Sequence, residues 1–365
     1  MKLKTRILTL VFLFLLHFAF PVSGSGFSDS GQQEENNKAE TETKFNASEF
    51  ILDHISDSHE WHIMTLGEGE NEKHITLYLP VILYSGKSGL HLFSSRRLAH
   101  GNEYRAFRLM QEGEFKGKIV ALSENGEADR ESLLLDFSMT KTVVGMLAAA
   151  IIGLWLFLAL SRSYRKTGIS HPKGIQSLLE PVICFVRDDI AIPNLGHEKY
   201  ARFMPYLLSV FFFILINNIM GLIPFPPPFG ANVTGNIAVT FTLAFFSFVI
   251  IQINGSKSYW RHIFAAPGLP VWMLPLMIPV ELIGLIAKPF ALMVRLFANI
   301  TAGHIIVMSL LALIFIFKSL FVAPVTILFV IFMDCLELLV AFLQAYVFTL
   351  LSSLFISLAV VEEHH

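Results

Sequence analysis

Two apolar runs close the chain, and each is too long to cross a membrane upright as one helix. Val271 to Phe317 covers 47 residues and Phe321 to Val360 a further 40. A helix of about 40 residues measures about 60 Å, about twice the hydrocarbon thickness of a bilayer. Each run must kink, double back or tilt strongly. A steeply tilted pair offers a long lateral face to another membrane protein. Pro275, Pro279 and Pro289 stand near the start of the first run, where bending is expected.

The composition agrees with a membrane protein: 54% of the 365 residues are hydrophobic and 15% charged. The net charge of −2 and the lack of a basic cluster offer nothing to nucleic acid. Cys184 and Cys335 lie in separate apolar segments, so neither a disulfide framework nor metal spacing arises. No internal repeat is present, which separates the chain from two-halved secondary transporters.

Residues 1–24 read as a secretory signal peptide, with Lys2, Lys4 and Arg6 before the apolar Ile7–Phe20 and small residues at Ser23-Gly24. The polar stretch 25–48 reads as a disordered linker. Residues 49–138 contain short alternating segments such as HITLYLPVILY and KIVALS, which predict a small β-rich domain delivered outside the cytoplasm. Within it Asp53, His54, Asp57, His59, Glu60 and His62 crowd together, with His74 downstream. No zinc spacing is matched, and neither a metal nor a cofactor is assigned.

Thr142 to Ser161 predicts a first membrane helix, and Arg162, Arg165 and Lys166 place its carboxyl end in the cytoplasm. Pro172 to Ile190 has helical apolar spacing and is expected as a helix along the cytoplasmic surface. Met204–Ile223 and Ile237–Ile253 form a hairpin across an uncharged Pro-rich turn, with Asn217, Asn218 and Asn236 as its amides. The two long runs bring the expected total to about five transmembrane helices and leave the carboxyl terminus cytoplasmic. The fold class is an all-α membrane protein, from 140 to 365, behind a β-rich extracytoplasmic domain.

The charges inside the long runs point to function. A guanidinium cannot neutralise itself by losing a proton, and ionisable groups inside membranes mark ion routes. Arg295 has no formal charge after it until Lys318. Glu281, Lys288 and Arg295 recur every seven residues, so one helical stripe carries all three if the helix continues through Pro289. His304, nine residues beyond Arg295, faces about the opposite way. Asp334, Glu337 and Gln344 share a face of the last run. With antiparallel directions, His304 and Glu337 fall at comparable depth, as on a proton path. Arg295 lacks an obvious carboxylate at its own depth, which implies one supplied by another protein.

These residues carry a resemblance. RLFANITAGH, preceded by Glu281 and Lys288-Pro289 and followed by Glu337 and Gln344-Ala-Tyr-Val-Phe, resembles the subunit a family of the F-type ATP synthase, over about residues 140–365. The region before it is similar to an added domain of subunit a in Bacteroidetes-like bacteria. The resemblance implies a non-catalytic stator subunit in the bacterial inner membrane, in contact with lipid. Its partners are the ring of c subunits, the b-subunit peripheral stalk and the rest of the synthase. Two aqueous half-channels then carry protons to and from the ring. It implies that Arg295 faces the ring carboxylates, that Asn299 lines the same face, that His304 and Glu337 form an ionisable pair, and that Gln344 lies near the arginine. Glu281, Lys288, Asn218, Asn236 and Asp334 are expected as lining or supporting residues. Gly221 and Asn236 stand where some relatives carry aspartates, which makes the outer mouth less acidic. The alternative is a carrier or channel whose Arg295 binds an anionic substrate. Because every candidate route residue lies after residue 200, the outer domain is expected to be separable from the route.

Overall fold

The computed structural model describes residues 51, 56–66, 73–111, 113, 115–123, 129, 134–167, 174–223, 227–264, 271–317 and 322–360. The expected signal peptide and linker, Asp53, His54, the turn residues 224–226 and the last five residues lie outside these.

The β-rich region holds eight short strands: β1 (Glu60–Leu66), β2 (Lys73–Tyr78), β3 (Pro80–Ser85), β4 (Gly89–Ser94), β5 (Glu103–Tyr104), β6 (Phe107–Leu109), β7 (Ile119–Ala121) and β8 (Leu134–Asp136). They pair antiparallel as β1-β2, β4-β3-β8 and β5-β6-β7. Alternation along β3 sends Val81 and Leu83 inward, where they meet Phe93, Leu98, Phe107 and Ile119. His59 Nε2 lies 3.4 Å from Asp136 Oδ2, tying the approach to β1 to the end of β8. The Ser138 amide donates to Asp136 Oδ1 at 2.8 Å.

Helix α1 (Lys141–Thr167) begins five residues after β8. A helix leaves its first amides without partners, and here residues ahead of β1 supply them. Thr142 N donates to Asp57 Oδ1 at 3.0 Å, and Lys141 N donates to Ser58 O at 2.9 Å. The crowded Asp57–His59 stretch, considered for metal from sequence, is thus engaged in a helix cap and an ion pair.

The stretch expected as a separate surface helix is α2 (Ile175–Phe185), which runs on through a π-helical turn (Val186–Ala191) into α3 (Ile192–Leu222). Its break falls instead at Gly196, where φ is 72° and ψ 165°. Leu179 and Val186 are buried as the spacing predicts, but Leu178 is exposed. Helix α4 (Ile237–Ile253) has the expected bounds and bends by 104° into the short α5 (Lys257–Phe264). The long runs form single helices, α6 (Leu274–Phe317) and α7 (Val322–Val360). Neither doubles back, and α6 continues through Pro279 and Pro289. At 1.5 Å per residue the 44 residues of α6 extend about 66 Å, so tilt or curvature is its remaining route to fit a bilayer. Among the described residues four helices are long and apolar enough to cross a membrane, or five if the bent α4–α5 pair is one span.

Helix α3 packs along α7, and α7 along α6. The buried face of α7 includes many small residues, Ala341, Ala345, Thr349, Ser352, Ser353 and Ala359, which let backbones approach closely, beside the larger Phe348 and Ile356. Large apolar residues such as Leu328, Phe329 and Phe332 on α7 and Ile283, Ile286 and Phe290 on α6 remain exposed. This is a broad lateral face made by the two long helices.

Candidate functional site

Because α6 is unbroken, Glu281, Lys288 and Arg295 do share one stripe. Arg295 is exposed, while Leu292 and Leu296 beside it are buried. Its guanidinium has no carboxylate within ion-pair distance among the described residues. Gln344, buried on α7, donates from Nε2 to the Arg295 carbonyl at 3.4 Å. The glutamine therefore holds the α6 backbone at this position and leaves the guanidinium turned outward. Asn299, one turn on, is also exposed.

His304 and Glu337 meet. His304 Nδ1 lies 3.5 Å from Glu337 Oε2, with side chains 18% and 10% exposed. Glu337 Oε1 is buried without a protein hydrogen-bond partner among the described residues. Gly303 lies against this carboxylate so closely that a Cβ there would collide with it. Asp334, one turn before Glu337, is exposed and within electrostatic reach of both.

A small pocket opens beside the pair, lined by Asn217, Asn218, Gly221, Asn232, Thr234, Asn299, His304 and Glu337. Asn218 is fixed on both ends: it accepts from Thr234 Oγ1 at 2.6 Å and donates to Ala341 O at 3.2 Å. Asn217 donates to Phe213 O at 2.7 Å, and its buried Oδ1 has no protein partner among the described residues. Gly221 faces the imidazole, with a Cβ there falling 3.9 Å from His304 Nε2. Asn236 does not line this pocket. Its side chain accepts from Ala238 N at 2.9 Å and caps the start of α4. Of the two expected places, lining or supporting, this is a supporting one. Asn232 and Thr234 were missed from sequence because an uncharged turn gives no sign of which hydroxyl or amide points inward.

A second small pocket is lined by Phe248, Ile251, Gln252, Tyr259, Leu285, Lys288, Pro289, Phe355 and Leu358. Lys288 Nζ lies 5.6 Å from the Phe355 ring centre. Glu281 is half-buried on the same stripe, one heptad before Lys288. The first pocket touches α6 at Asn299, Ile300 and His304, and the second at Leu285, Lys288 and Pro289. Arg295 stands between them along the helix.

The β-rich region meets this geometry at one point. Trp61 of β1 packs with Met146 of α1 and with Ala231 and Val233, which alternate with the pocket residues Asn232 and Thr234.

The family described as ATP synthase A chain matches residues 142–357, and one described as a domain of unknown function matches residues 50–140. ATP synthase subunit a of Chloroherpeton thalassium is 49% identical over 236 residues, covering 63% of this chain and 69% of that protein. ATP synthase subunit a 2 of Prosthecochloris aestuarii is 47% identical over 257 residues, covering 68% of this chain and 77% of its own. Subunit a of Myxococcus xanthus is 45% identical over 238 residues, covering 63% and 76%. With a match over most of the chain and this identity across the helices that carry both pockets, the protein belongs to the ATP synthase subunit a family.

Proposed function

We propose that this chain is the ion-translocating stator subunit of an F-type ATP synthase, carrying protons between two half-channels and a rotating ring of c subunits. The observation that carries the reading is Arg295, exposed on the lateral apolar face of α6 between two pockets. A guanidinium in hydrocarbon needs an anion, and one on an outward face takes it from a partner. A carboxylate on each passing ring subunit is such an anion. Held ionised by Arg295, it exchanges its proton with one pocket before the arginine and with the other after it. The same fixed charge keeps protons from crossing directly between pockets.

In this reading His304 and Glu337 relay protons on the side bearing the β-rich domain. An imidazole and a carboxyl group can each take up and release a proton. Asn217, Asn218 and Thr234 supply the polar wall, and Asp334 lies at its edge. Lys288, Glu281, Gln252 and Tyr259 belong to the opposite vestibule. The β-rich domain is periplasmic, the carboxyl terminus cytoplasmic, and the chain does no bond chemistry itself. The b-subunit stalk and surrounding lipid hold it against the ring.

Purification from membranes, with proton uptake measured in inverted vesicles, tests this. The expected result is co-purification with a ring of small hairpin subunits and ATP-driven uptake. Transport by the chain alone in ring-free vesicles would overturn it.

A further inference from the structure

We infer that the β-rich domain sets the shape of the pocket mouth, with Trp61 as a positioning residue for proton entry; this rests on the proposed route through His304 and Glu337. Trp61 is 5% exposed and shares one buried cluster with Met146 on α1 and with Ala231 and Val233 in the segment before α4. That segment is pinned from several sides. Thr234 Oγ1 donates to Asn218 Oδ1 at 2.6 Å, and Asn218 holds Ala341 O, one turn after Glu337. Thr301 Oγ1 donates to Gly235 O at 3.5 Å, one turn before His304. A contiguous set of contacts therefore runs from β1 through residues 231–235 to the helical turns that carry both members of the ionisable pair.

The anchor of β1 is firm. Asp57 and Ser58, just ahead of it, accept from the first amides of α1. The Trp61 indole thus stands on a base fixed to the membrane helix and presses on the loop. Gly145 completes the clamp from the α1 side. A Cβ there would meet Ala231 Cβ at 2.7 Å and Val233 Cγ2 at 3.0 Å, so the loop sits where only glycine admits it. Packed segments of this kind settle into discrete arrangements rather than deforming freely. Loss of the indole lets residues 231–235 relax, moves Asn232 and Thr234 in the wall, and changes the access of protons to Glu337. The function so assigned to the domain is to hold the entry open in one shape.

The test uses the assembled synthase in vesicles and follows passive proton flux while the pH is varied first on one side and then on the other. Trp61→Ala should lower flux by at least about threefold and shift the half-saturating proton concentration on the β-domain side alone. Trp61→Phe, which keeps an aromatic ring against the loop, should restore most of it. Gly145→Ala displaces the same loop with the β-rich domain untouched, and should shift the same profile even if Trp61→Ala fails to assemble. Glu337→Gln is run beside them. If it alters the profile while Gly145→Ala and every assembled Trp61 variant leave it at wild type, the clamp is wrong and the route stands. If the clamp variants shift the profile and Glu337→Gln does not, the route through Glu337 is wrong and control of the mouth stands. A loss felt equally from both sides, or no change in any variant, overturns the inference.

Discussion

Gly303 and Glu337 are packed so tightly that the glycine's missing side chain is the space the carboxylate occupies. The neighbouring His304 reaches the other oxygen of the same carboxylate at 3.5 Å. Two consecutive residues of α6 therefore fix both the position and the electrostatic partner of one acid on α7. Gly303→Ala should force the Glu337 side chain aside, at about 1–3 kcal/mol for an overpacked site. Flux through the membrane sector is expected to fall with the ring still bound. Adding Glu337→Asp, one methylene shorter, should recover part of that flux. No recovery in the double variant would mean that the clash is relieved elsewhere.

The pair itself predicts a reciprocal exchange. Glu337→Gln keeps shape and some hydrogen bonding but does not titrate, so flux should drop while assembly persists. His304→Glu combined with Glu337→His restores one imidazole and one carboxylate across the same gap. It should conduct better than either single exchange, as measured by passive flux across pH. Four rates that merely add would make the pair a helix contact without a joint role.

The meeting of His304 and Glu337 was legible from sequence because long helices packed side by side have few freedoms. Counting residues from Arg295 forward and from the start of α7 inward was enough to bring His304 and Glu337 together. The heptad stripe through Lys288 was legible too, once α6 ran through Pro289. What sequence hid is local and cooperative. Asn236 and Thr234 are both small polar residues in an uncharged turn, yet one caps α4 and the other holds Asn218. Their difference lies in backbone direction, which periodicity does not encode. Trp61 reads as one more alternating strand residue until the segment 231–235 arrives beside it. The end of the expected surface helix was hidden for a similar reason: an amphipathic pattern does not show where the helix stops, and Gly196 sets the break.

The β-rich domain should soften in acid by a defined step. Burial pushes the Asp136 carboxyl up, but the nearby His59 and the hydroxyl and amide of Ser138 outweigh it and hold it below the ordinary 3.8. A carboxyl with a depressed folded value stabilises the fold above its unfolded value. That stabilisation fades as pH falls through the folded one. Thermal unfolding of the β-rich domain in the purified protein, followed from about pH 6 down to about pH 3, should show the decline. Asp136→Asn should be less stable near neutral pH and flatter in acid. An unchanged slope in the variant would remove Asp136 from the account.

Arg295→Ala offers the sharpest separation of structure from function. The side chain is exposed and meets no acid within the chain among the described residues, so its removal leaves no buried charge behind. The hydrogen bond from Gln344 Nε2 across to this position goes to the backbone carbonyl and survives the substitution. Helix α6 should therefore keep its packing against α7, and the variant should co-purify with the ring in normal yield. ATP-driven proton uptake in inverted vesicles should nonetheless be abolished, since the ring carboxylate loses the charge that keeps it ionised between the two pockets. Arg295→Lys tests whether any cation suffices: a lysine is shorter, can shed its proton and lacks the planar fork. Its uptake should stay far below wild type. Normal coupled pumping in Arg295→Ala, with the ring in place, would remove the arginine from the mechanism and with it the reason for reading α6 as the face toward the ring.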